Sequence, residues 1–177
     1  MIIEHREASP MGLNYQFREA RKKLDRLDAD ERRRLLAICQ EIFQAQAALT
    51  RKAEPILARC TTDCQGLCCR NIHVADIITG WDLIYILALA PQLETAMAAC
   101  LAHEAFFPSD CLFLKNGVGP CLFPDHLRPE RCVISFCRVE PLVEKEIAQV
   151  MRGFSRLIRF FRFRPFHRLA ARLGIGS

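Results

Sequence analysis

The sequence predicts a mainly α-helical single domain with two irregular cysteine-rich loops around a metal centre. Two observations carry that expectation. Apolar residues recur at helical spacing through most of the 177-residue chain. Its ten cysteines are concentrated in two stretches where glycine, proline and aspartate break any regular period. Apolar residues make up 51% of the chain and charged ones 25%. Those are the proportions of a folded globular protein with a real core, not of a disordered one.

Residues 13 to 58 read as two helical pieces. The first, Tyr15 to Leu27, is strongly charged. The second starts at a cap on Asp28 or Asp30 and places Leu35, Leu36, Ile38, Cys39, Ile42, Phe43 and Leu49 at helical spacing. Gln46 interrupts that apolar face, so incomplete burial is expected there. Pro55 bends or ends the helix just before the cysteines begin. Cys60 to Cys69 reads as a loop, because Asp63 and the Gln65-Gly66 turn break the period.

Asp76 to Ala90 and Gln92 to His103 then read as two apolar helices, with Pro91 at the break. Pro108-Ser109-Asp110 opens a second irregular stretch, carrying Gly117, Gly119, Pro120, Pro124 and Pro129, that runs to Cys137. A long helix follows from Pro141, a residue suited to a first helical turn. Ile147, Val150, Met151, Phe154, Leu157, Ile158 and Phe161 form its apolar face, and Pro165 marks its expected end. The organisation expected is thus N-terminal helices over 1–59, a cysteine-cluster region over 60–137, and a C-terminal helix with a basic tail over 138–177.

The first residues, Met1-Ile2-Ile3-Glu4-His5-Arg6-Glu7, put charges where a signal peptide needs its apolar core. A cytoplasmic location is expected on that ground, where thiols stay reduced and a disulfide framework is disfavoured. The most apolar stretch, Ile77 to Ala102, is broken by Asp82, Pro91, Gln92 and Glu94, and reads as a buried helix pair rather than a membrane span.

Eight cysteines form two blocks: Cys60-x3-Cys64-x3-Cys68-Cys69, and Cys111, Cys121, Cys132 and Cys137. A metal needs converging sulfurs. On one straight helix Cys60 and Cys68 would lie roughly 12 Å apart along the axis. Two sulfurs on one zinc can be no more than about 4.6 Å apart. A turn at Gly66 would bring them together. The vicinal pair Cys68-Cys69 diverges in either helix or strand, so its thiols would serve different ions or different atoms of one cluster. Eight thiolates exceed one four-ligand site. One cluster plus one zinc, two like sites, or one site with spare thiols all fit. Cys39 and Cys100 stand singly on apolar helical faces and read as core.

Several of these elements occur together in a known family. The order Cys60…Cys64…Cys68-Cys69, Cys111-Leu112-Phe113-Leu114, Cys121-Leu122-Phe123, Arg128-Pro129-Glu130-Arg131-Cys132 and Cys137 resembles the YkgJ-type cysteine-cluster family. That family is described as a zinc- or iron-chelating domain and includes a region of the flagellin lysine N-methylases. The resemblance spans about Cys60 to Cys137. It departs from the family in the first block, where both gaps are three residues rather than two, and at Val133, where arginine is frequent. It implies an iron–sulfur or zinc cofactor on the eight cysteines. Arg128 would bind the cofactor by offsetting thiolate charge or hydrogen-bonding sulfur, with an ordinary loop salt bridge as the equal alternative. Phe113, Leu114, Leu122 and Phe123 would wall the site from water, or serve as core, and the two roles are compatible. Methyl transfer does not carry over, since in the methylases the region is only part of a longer chain.

Among the five histidines, His73 and His126 lie near the cysteine blocks and are candidates for a fourth ligand. No Gly-rich phosphate loop, H-E-x-x-H or G-x-S-x-G is present, and nothing marks one cysteine as a nucleophile. The net charge of +5 belongs to the C-terminal end, because residues 147–177 hold seven arginines and no acid. Phenylalanines 154, 160, 161, 163 and 166 interleave with them. Such a tail suits a solvated helix face, a protein partner or an anionic membrane surface, with nucleic acid ranked behind these. The expected function is metal binding, with redox work or service to a larger enzyme. The alternative is a zinc-stabilised protein-interaction module without catalytic activity.

Overall fold

In the computed structural model, residues 12–62, 73–102, 111–115, 120–136 and 141–172 are described. Their architecture is mainly helical: α1 (Leu13–Asp25), α2 (Ala29–Lys52), α3 (Glu54–Thr62), α4 (Val74–Ile77), α5 (Gly80–Leu89), α6 (Glu94–Ala102), α7 (Glu130–Ile134) and α8 (Glu144–Arg172). Short 3-10 turns at Pro91–Leu93 and Pro141–Val143 lead into α6 and α8. Among the described residues the β structure is one isolated antiparallel bridge, Leu114 to Cys121.

The core is built on α2 and α8, which run antiparallel. Their ion pairs give the register: Lys52 with Glu146 at one end, Glu41 with Arg156 in the middle, and Glu31 with Arg164 at the other. Between them Leu35, Cys39, Ile42, Leu49, Val150, Phe154 and Leu157 are buried. Gly153 lets the two helices meet, because a Cβ there would stand 2.6 Å from Ile42 Cγ1. The apolar helix α5 completes this core: Tyr85 meets Phe154 edge-on at 5.3 Å between ring centroids. Leu13, Phe17, Ala20 and Leu24 seal it from the α1 side, and Lys23 Nζ stands 4.5 Å over the Trp81 ring.

Helix α2 begins at Asp28, whose carboxylate accepts the Glu31 N–H while the Glu31 side chain accepts the Asp28 N–H. This reciprocal cap satisfies two otherwise orphaned donors. Pro91 breaks the apolar stretch as expected: the axes on its two sides differ by 115°. No single helix among the described residues is long and apolar enough to cross a membrane.

The structure corrects the sequence reading at several points. Pro55 follows the expected break, since α2 stops at Lys52 with Ala53 as its C-cap, but it does not open the cysteine loop. It sits in the first turn of α3, where its missing N–H costs nothing, and the helix continues through Cys60 to Thr62. Cys60 therefore has helical backbone; Cys64, Cys68 and Cys69 lie outside the described residues. The expected helix Asp76–Ala90 is two, because Ile78 is extended and Thr79 caps α5 in a box with Asp82. The second cysteine stretch is not wholly irregular, since Cys132 sits in α7. Pro165 does not stop α8, which runs on to Arg172; the loss is one backbone bond, to Phe161, in a helix of 29 residues.

Candidate metal centre

Three buried polar groups converge on one short segment, residues 126–130. Gln46 of α2 is fully buried, not partly exposed as its place in an apolar face suggests. Its Nε2 donates to the Arg128 carbonyl at 2.8 Å and its Oε1 accepts the Arg128 N–H at 3.2 Å. Asp82 of α5, 1% exposed, accepts the Glu130 N–H at 2.7 Å through Oδ1. Its Oδ2 accepts the Thr79 N–H and hydroxyl, both at 2.7 Å. One carboxylate thus caps α5 and supplies α7 with the acceptor that its own N-cap, Pro129, lacks. The Tyr85 hydroxyl donates to the His126 carbonyl at 3.2 Å, and burial pushes its pKa up. Buried polar groups are tolerated when their bonds are made, and here those bonds hold the backbone leading into Cys132.

Cys111 and Cys121 stand on a tight excursion. The Leu114 N–H bonds the Cys111 carbonyl at 3.1 Å, the Leu122 N–H the Phe113 carbonyl at 2.8 Å, and the Lys115 N–H the Pro120 carbonyl at 3.1 Å. Phe113 and Phe123 are buried with ring centroids 4.7 Å apart, which makes them part of the core. Leu114 and Leu122 are half-buried. The Phe123 N–H donates to Cys121 Sγ at 3.4 Å. Cys111 and Cys121 are half-buried and Cys132 is exposed.

Arg128 pairs with Asp125 three residues earlier, the loop salt bridge held as the alternative to cofactor contact. That pair uses one terminal nitrogen, Nη2. Its Nε is buried and has no hydrogen-bond partner among the described residues. His73 is exposed and bonds Asp76 at 3.0 Å. The His126 ring packs edge-on against Phe43 at 4.6 Å.

Of the eight expected ligands, the structure places the side chains of Cys111, Cys121 and Cys132. Only the backbone of Cys60 is described, and Cys64, Cys68, Cys69 and Cys137 lie outside the described residues. Among the described residues no group of three His, Cys, Asp or Glu side chains could hold a metal ion. Cys39 is buried in the α2 core and its thiol is pushed up to about 12 by desolvation. Cys100 is half-buried, with its pKa raised for the same reason. Neither resembles an activated thiolate. The residues that the sequence does not single out are Gln46, Asp82 and Tyr85. The one available signal is the Thr79-x-x-Asp82 capping pattern, which announces a helix start but not the second helix that Asp82 caps. Comparison of the chain with protein-family models, curated proteins and solved structures returned no match.

Proposed function

We propose that the chain is a metal-binding cysteine-cluster protein of the YkgJ type, its thiolates holding an iron–sulfur or zinc centre. The carrying observation is the fixing of the Arg128–Glu130 backbone by Gln46 and Asp82, two side chains at most 1% exposed. Buried polar side chains that bond a loop give up apolar packing to hold it still, and a ligand held still binds metal more tightly. Cys132 follows directly on that segment. The hydrogen bond to Cys121 Sγ suits a centre of negative thiolates nearby, as does the Arg128 Nε, which lacks a partner among the described residues.

The reading requires thiols from the block Cys60, Cys64, Cys68 and Cys69, and from Cys137, to join Cys111, Cys121 and Cys132. An iron–sulfur centre would supply one-electron transfer, and zinc would supply a cross-link between the two blocks. Arg128 would then compensate charge, while the core pair Phe113 and Phe123 would limit water at the Cys111–Cys121 excursion.

Anaerobic purification followed by metal and acid-labile sulfide analysis tests the proposal. Iron with sulfide in a brown protein supports the cluster. Stoichiometric zinc in a colourless protein supports the cross-link, and with it the interaction-module alternative. Absence of both metals after reconstitution, with the double variant Cys68→Ser/Cys132→Ser as stable as the parent, refutes it.

A further inference from the structure

The solvent face of α8 belongs neither to the core nor to the cysteine region. Met151, Arg152, Ser155, Arg156, Arg159, Arg162 and Phe163 are exposed along it, at the three- and four-residue steps that line up one side of a helix. Met151 is 42% exposed and Phe163 45%. Arg156 is paired with Glu41 across the α2–α8 groove. Arg152, Arg159 and Arg162 have no ion-pair partner among the described residues. Two turns before Glu41, Arg34 is also exposed and adds to the same field from α2. No acid occurs anywhere from residue 147 to the end of the sequence, so nothing on α8 beyond its first turns neutralises this charge. The helix is 29 residues long, roughly 43 Å.

We infer that this face of α8 docks on an anionic lipid surface. The sign and the composition both select that occupant. A solvated helix face normally mixes charges of both signs, whereas this one is cationic throughout. Large apolar side chains stand among the cations, an arrangement that lets arginines meet lipid phosphates while Met151 and Phe163 enter the acyl boundary. A nucleic acid would use the arginines equally well but leave Met151 facing water. The part-buried pair Arg164–Glu31 and the core residues Val150, Phe154 and Leu157 anchor the opposite side of the helix, so docking demands no unfolding. This inference is independent of the metal proposal.

Co-sedimentation of the full chain with vesicles tests it. Binding is expected to vesicles containing phosphatidylserine, not to pure phosphatidylcholine, and to weaken as salt is raised. Each cation near such a surface contributes roughly fivefold. The variant Arg152→Glu/Arg159→Glu/Arg162→Glu should therefore lose on the order of a hundredfold or more in partitioning, with an unchanged far-ultraviolet circular dichroism spectrum. Phe163→Ala should weaken binding with little change in its salt dependence. Equal binding to neutral vesicles, undiminished binding of the triple variant, or tighter binding to single-stranded RNA than to the anionic vesicles at the same salt would each overturn it. Should the triple variant misfold, the lipid selectivity and salt dependence of the parent chain decide alone.

Discussion

Replacing Gln46 by leucine removes both hydrogen bonds to Arg128 while keeping nearly the same volume. The amide gives up bonds of 2.8 and 3.2 Å, and the Arg128 N–H and C=O are left behind in a part-buried position. Each unpaired group costs about 1–3 kcal/mol, the lower end applying where water gains partial access. The added apolar surface of leucine returns about 1 kcal/mol. The net destabilisation is about 1–5 kcal/mol, toward the lower end if water reaches the freed groups, read from urea unfolding followed by circular dichroism. Gln46→Glu sharpens the test. A neutral carboxylic acid can donate to the Arg128 carbonyl and accept from its N–H, as the amide does. A carboxylate can only accept, and burial opposes its charge, so the folded pKa of the introduced carboxyl would lie above its unfolded value. Its contribution is then fully present below the unfolded pKa and lost as pH rises through the folded one. Relative to the parent, the variant should weaken steadily from acid toward neutral pH. A leucine variant as stable as the parent, or a glutamate variant whose deficit is independent of pH, would refute the assignment of Gln46 as the clamp on this segment.

Other perturbations bear on the helix frame and the thiols. Gly153→Ala should destabilise by about 1–2 kcal/mol, because overpacking against Ile42 at 2.6 Å outweighs the helix propensity of about 1 kcal/mol that alanine gains; Ile42→Val added to it should recover part of the loss in urea unfolding. Arg164→Met leaves Glu31, 5% exposed, without its bidentate partner, and should cost about 3 kcal/mol; thermal melts of the parent and variant measure it. Cys39, its thiol raised to about 12, should resist iodoacetamide at neutral pH until the protein unfolds, while Cys132, exposed on α7, should react in metal-free protein; peptide mass spectrometry reads the two sites separately.

The periodicity of Leu35, Cys39, Ile42 and Leu49, and of Val150, Phe154 and Leu157, is enough by itself to announce α2 and α8 and their buried faces, because helix amphipathicity is written locally. Pro91 announces its bend for the same reason, and the cysteine density announces the thiol chemistry proposed for the chain. Gln46 and Asp82 cannot be read this way. In one dimension each is a polar interruption in an apolar helix, and its meaning depends on a backbone group that arrives 82 residues later for Gln46 and 48 for Asp82. Pro165 misleads because proline forbids one hydrogen bond, and whether that loss ends a helix depends on what holds the helix on its far side. Arg164 looks like one more cation of a basic tail, yet the fold seats it on Glu31, while Arg152, Arg159 and Arg162 face water. The local pattern announced the main helices and the cysteine-rich stretches between them. Only the packing of α2, α5 and α8 decided which polar groups are tied into the frame and which remain on the surface, since burial and partnership are properties of contacts distant in the chain.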